Sequence, residues 1–236
     1  MPFVEQLRLP APEVLARTAA ICYLIPVAPF ALLYVPAKLI VAGDPAATAS
    51  NIIAHEWLFK LGIAAGLATA VLMLVIVVNL YYLLRANGQL PASLMLYLVL
   101  AGVPLAVINE AHRITALMLL QRPPYVGGID SAAAQGLAML HLVLYSKVHL
   151  VAHIFWGAWL LPLGLLVLRS GYIPRILGIL LVVAGVGYMI HSLAALFIPG
   201  YDWNIIFVTS WGELLFPIWL LTMGPKALRR HAAHAG

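Results

Sequence analysis

The chain is 236 residues long, 64% hydrophobic and only 9% charged, where a soluble domain carries about 25% charged residues, so a soluble globular fold is excluded. The net charge of +5 does not point to nucleic acid, because the basic residues are scattered through short loops and act instead as topology signals. Several apolar runs reach the roughly 20 residues that cross a bilayer, which predicts one all-α, polytopic membrane domain of about six transmembrane helices.

Residues 1–17, with Pro2, Pro10 and Pro12, read as a cytoplasmic lead-in. Span one is expected over about 18–41, bent by Pro26, Pro29 and Pro36, since membrane helices tolerate the hydrogen bond that proline removes. It is longer than a signal-peptide core and no small-residue cleavage site follows it, so it is retained as a span. It holds the single cysteine, Cys22, and one cysteine forms no intrachain disulfide. Gly43-Asp44-Pro45 is turn chemistry and leads into a helical piece, 46–57, lying along the membrane surface. Span two follows over about 57–84 and closes in a tight turn at Arg85 to Gly88.

Span three, about 92–120, carries Asn109, Glu110, His112 and Arg113 in its second half. Glu110 and Arg113 are three apart and can pair on one face. A loop with Pro123-Pro124 precedes span four, about 136–168, which exceeds the bilayer thickness and so tilts, kinks near Pro162 or protrudes. After the basic turn 169–175, span five runs over about 176–198 with His191, and span six over about 205–223 with Glu213. The membrane domain is thus 18–223, and 224–236 is a basic cytoplasmic tail with His231 and His234 in solvent. The tryptophans read as interfacial belt and packing.

With the amino terminus inside, Arg8, Arg17, Arg85, Arg169, Arg175, Lys226, Arg229 and Arg230 are internal, against Lys38, Lys60 and Arg122 outside. This asymmetry predicts both termini in the cytoplasm. No repeat relates the two halves, which weakens an inverted-repeat transporter.

Span four also holds an unexpected stripe. His141, Tyr145, His149 and His153 are spaced four apart, and on an α-helix each step advances the side chain by about 40°. His149 and His153 are neighbours on adjacent turns. Polar residues in a span face a bundle interior or a cavity, so the stripe is expected to form one wall of a buried site. The orientation above places Glu110, His112, His149, His153, His191 and Glu213 at a common level in the outer half of the bilayer.

The segments Lys38-Leu39-Ile40-Val41, Gly43-Asp44, Asn51-Ile52, Leu58 to Ala65, Arg169-Ser170-Gly171-Tyr172-Ile173-Pro174-Arg175-Ile176-Leu177-Gly178 and Ala184 to Tyr188 resemble a bacterial six-helix membrane family, domain of unknown function number 4386. The resemblance implies a six-span fold in the bacterial inner membrane and supplies no reaction. His149, His153 and His191 depart from it.

The chemistry therefore rests on the residues. Imidazole suits zinc, iron or copper, and carboxylate can complete the shell. His149, His153, His191 and His112 are the expected metal ligands, with Glu110, Glu213 and Tyr145 catalytic, a carboxylate acting as general base to a metal-bound water. That reading predicts a metal-dependent oxidoreductase or hydrolase acting on a small hydrophobic, lipid-like substrate. The i, i+4 pair lacks the glutamate of the HExxH motif. One alternative is haem b held by histidines of facing helices, with Tyr145, Trp156, Trp159 and Tyr188 lining its pocket. Others are metal-free acid–base isomerisation or cyclisation of an isoprenoid-like molecule, and a transporter or sensor with a His/Glu proton relay. The partners expected are membrane lipids and, in a homo-oligomer, further copies of the chain.

Overall fold

A computed structural model describes residues 9–25, 38–121 and 128–235. Among them there is no strand. The helices are α1 (Pro12–Leu24), α2 (Pro45–Ala54), α3 (Glu56–Leu84), α4 (Gln89–Gln121), α5 (Ser131–Ala158), α6 (Leu160–Arg169), α7 (Arg175–Phe197), α8 (Ile205–Thr209), α9 (Trp211–Thr222) and α10 (Gly224–Ala235). Five stretches are long and apolar enough to span a bilayer, namely Glu56–Asn87, Gln89–Gln121, Ser131–Arg169, Arg175–Phe197 and Ile205–Thr222. The chain is a multi-pass membrane protein with an all-α bundle fold. The expected first span is described only in part, because 26–37 and the three prolines expected to bend it lie outside the described residues, as does the loop 122–127 with Pro123-Pro124.

The element boundaries follow local chemistry. Asp44 and Asp130 cap α2 and α5, each accepting at 2.9 Å from the backbone N–H three residues on, which satisfies a donor that a helix start leaves open. Span four breaks at Trp159, between α5 and α6. Pro162 has no N–H for the carbonyl four residues back, so the ladder fails where the sequence expects a kink. Span six is likewise two pieces, α8 and α9, joined at Ser210. The basic tail is not an extended appendage. It forms α10, with Leu228 packed against the core.

Three contacts place one set of ends together. Arg229 of α10 pairs with Glu13 of α1 at 3.3 Å, Tyr172 lies against His231 with ring centroids 5.2 Å apart, and Arg169 lies against Gly88 in the turn after α3. This cationic end gathers Arg85, Arg169, Arg175, Lys226, Arg229 and Arg230. The far end carries α2 and the start of α5.

α7 runs antiparallel to α5 and α6, and glycine meets glycine backbone at two points along the crossing. A Cβ added to Gly185 would lie 2.6 Å from the Gly157 carbonyl oxygen, and one on Gly164 would lie 2.7 Å from that of Gly178. Gly171, at φ +72°, is midway in sequence between the members of both pairs. Small residues let membrane helices approach closely enough for dispersion and backbone contacts to hold them. Trp159, wholly buried between the two glycine pairs, is core rather than interfacial belt, unlike the exposed Trp57, Trp203 and Trp211.

Candidate functional site

The regular helix Ser131–Ala158 carries the expected stripe. Tyr145 and His149 stack with centroids 6.0 Å apart, and His149 and His153 are 4.3 Å apart. At the next step His153 meets Tyr188 of α7 edge-on at 5.4 Å. Nδ1 of His153 is buried without a hydrogen-bond partner among the described residues, whereas His149 keeps an exposed face at a level the bilayer covers.

Each end of this stack reaches a carboxylate. At one end the Tyr145 hydroxyl donates to Glu110 at 3.4 Å. Arg113 donates to the other oxygen of Glu110 at 3.3 Å, the i, i+3 pairing expected of the sequence. The pair is buried, with Glu110 5% and Arg113 6% exposed. The guanidinium lies 5.0 Å from the Phe59 ring centroid and 5.1 Å from that of Tyr145, a sandwich that stabilises a desolvated cation. Asn109 donates to the Tyr145 carbonyl at 3.0 Å, fixing α4 against α5. At the other end the Tyr23 hydroxyl donates to Glu213 at 2.7 Å, and Tyr188 is within hydrogen-bonding reach of the same carboxylate. Tyr23 in turn stacks on Trp159. The result is a continuous thread, Arg113–Glu110–Tyr145–His149–His153–Tyr188–Glu213–Tyr23, drawn from α4, α5, α7, α9 and α1.

The fit around Glu110 is close. A Cβ on Gly66 of α3 would overlap the carboxylate oxygen Oε1. Gly66→Ala is therefore expected to displace Glu110 and destabilise the bundle by about 1–3 kcal/mol, the usual range for overpacking. Thermal melting in detergent measures this, and an unchanged midpoint would mean that the carboxylate moves aside freely.

The structure does not assemble the expected four-ligand set. His112 turns to His141, with their Nδ1 atoms 3.1 Å apart, one turn beyond the Glu110–Tyr145 contact. His191 lies within electrostatic reach of His153, yet its Nδ1 meets the Trp203 carbonyl at 3.2 Å and the Tyr201 hydroxyl at 3.4 Å. Among the described residues no group of three or more His, Cys, Asp or Glu converges as a metal shell. Tyr188 lies edge-on against one side of the His153 ring.

Tyr145, His149 and His153 descend one helix at about 6 Å per step of four residues. The break at Ser210 puts Glu213 in the first turn of α9, nine residues and about 14 Å from Thr222 at the cationic end. The thread is a staircase from the far half of the bundle toward the cationic half. Tyr23 joins it through the fold alone, 190 positions from Glu213. Arg113 was legible as a pair partner, but not as a cation between two rings.

A concavity of about 450 Å³ at the far end is lined by α2 with the adjoining ends of α4 and α5, including Ala49, Ser50, Leu120 and Gln135. No member of the thread lines it.

The family model described as a domain of unknown function, DUF4386, matches residues 18–224. An uncharacterized protein of Archaeoglobus fulgidus is 37% identical over 117 residues, which is 49% of this chain and 68% of that protein. No solved structure matches. A model match over nearly the whole membrane domain shows that this chain belongs to the DUF4386 family.

Proposed function

We propose that the chain is an integral membrane enzyme that performs acid–base chemistry on a small hydrophobic molecule arriving from the lipid, with His149 and His153 as the working pair. The observation that carries this reading is the pair itself. An imidazole with an exposed face lies 4.3 Å, centroid to centroid, from a second whose Nδ1 has no partner among the described residues, and ionisable groups inside a membrane are costly and mark functional sites. The pair takes a proton from one position of the substrate and, as the imidazolium so formed, returns it at another, so that no proton is gained or lost overall. Tyr145, held by Glu110, and Tyr188 pack against the two rings from either side and fix their orientation. Arg113 positions Glu110. The positive-inside rule puts the cationic end in the cytoplasm, consistent with residence in a bacterial inner membrane.

The test is isotopic. Protein in nanodiscs is incubated in deuterated water with total membrane lipid extract, and the lipid-soluble pool is followed by mass spectrometry. A molecule that gains deuterium or is isomerised with the wild type, and not with His149→Gln or His153→Gln, is the expected result. Identical spectra from wild type and both variants would overturn the reading.

The 4.3 Å spacing of the two rings and the open Nδ1 of His153 also favour a second reading, a metal ion held by this pair with substrate or water completing its shell. His149 and His153 would be its ligands, and the metal would act as Lewis acid. Elemental analysis separates the two. One metal ion per chain, lost in His149→Gln, supports the second reading and overturns the metal-free one.

A further inference from the structure

The cationic end holds a feature unconnected with the thread. α10 is strongly amphipathic. Leu228 packs into the core, Arg229 is engaged by Glu13, and Arg230 and His231 turn the other way. With Gly171, Tyr172 and Ala227 these two line a recess of about 290 Å³. The Tyr172 ring rests against His231 and forms one wall. Burial pushes the Tyr172 hydroxyl up to about 12, so it remains an O–H group at neutral pH. At Gly171 a Cβ would meet nothing within 4 Å, so the mouth is open on that side.

Carboxylates are scarce at this end among the described residues. Among the described residues the acids are Asp44, Glu56, Asp130 and Asp202 toward the far end, Glu110 and Glu213 within the thread, and Glu13. Of these, Glu13 lies near α10, and Arg229 occupies it. Arg230, Lys226 and the nearby Arg169 and Arg175 therefore have no carboxylate partner among the described residues. A guanidinium and an imidazole flanking a small open recess suit a phosphate, to which arginine binds through two parallel hydrogen bonds. The recess lies where helices leave the bilayer, the level of lipid headgroups. An amphipathic helix with a basic face belongs in that plane, and clustered Lys and Arg beside spans attract anionic lipid.

We infer that the recess between the Gly171-Tyr172 turn and α10 is a headgroup site for an anionic phospholipid of the adjoining leaflet, with Arg230 and His231 holding the phosphate.

Native mass spectrometry of the full chain in detergent tests this with three probes: phosphatidylglycerol, phosphatidylcholine and inorganic phosphate. Phosphatidylglycerol is expected to be retained in preference to both others. Arg230→Gln combined with His231→Gln should weaken its binding about fivefold or more, since a basic residue near an anionic surface contributes on the order of that factor. Lys60→Gln, at the far end, should leave it unchanged. Both altered side chains are exposed, so folding is expected to survive, and unchanged melting confirms it. Equal retention of phosphatidylcholine would overturn the inference. So would phosphatidylglycerol binding that survives the double substitution, or competition by inorganic phosphate at the same concentration, which would mark a free-anion site.

Discussion

Arg113→Ala is expected to destabilise the bundle by about 3–5 kcal/mol, the range for breaking a buried ion pair by removing one partner. Glu110 would then remain as a carboxylate 5% exposed, with Tyr145 as its remaining donor. The same truncation empties the space between the Phe59 and Tyr145 rings, so packing is lost together with charge. Arg113→Lys should recover only part, because a compact ammonium neither stacks between two rings nor presents a planar fork to a carboxylate. Glu110→Gln with Arg113→Met should recover more, since no charge is left buried. Thermal or chemical denaturation in detergent ranks the four proteins. A stability for Arg113→Ala equal to wild type would show that Glu110 is not held as an ion in the bundle.

Gly185→Val is expected to be of similar severity for a different reason. Its Cβ would lie 2.6 Å from the Gly157 carbonyl oxygen, and a helix backbone cannot turn aside as a flexible side chain can. Overpacking costs about 1–3 kcal/mol in ordinary cores and more where the neighbour is rigid. Separation of α7 from α5 would also remove the face on which Tyr188 meets His153. Gly136→Ala is the matched control, because a Cβ there meets nothing within 4 Å, and alanine is the better helix former by about 1 kcal/mol. Melting midpoints should therefore fall sharply for Gly185→Val and stay level or rise for Gly136→Ala. Similar midpoints for the two would refute the close crossing.

Much of the architecture was legible because bilayer physics is strict. Apolar length, proline and basic turns place spans two to five within a few residues of α3, α4, α5 with α6, and α7. The four-residue spacing of Tyr145, His149 and His153 gave their contact directly, because periodicity along one helix needs no tertiary knowledge. Convergence between helices was another matter. His112 and His191 were assigned to a shared site by depth alone, but depth says nothing of azimuth, and each faces its own partner. The break at Ser210 has no proline or glycine at that residue to announce it. Tyr23 had no local signal at all. The glycine crossing was visible as composition, and only pairing α7 with α5 and α6 turns four separate glycines into two contacts.

That crossing restricts how the molecule can rearrange. Backbones in direct contact at two points along their length cannot slip past one another, since an axial shift would bring branched side chains such as Val182 into positions only a hydrogen atom now occupies. α7, locked to the end of α5 and to α6, is therefore a rigid post. Tyr188 travels with it, one turn from the Gly157–Gly185 contact, and keeps its station against His153. Any widening that admits a guest beside His149 falls to the opposite wall, where α4 meets α5 through polar and ring contacts that can re-form after they part.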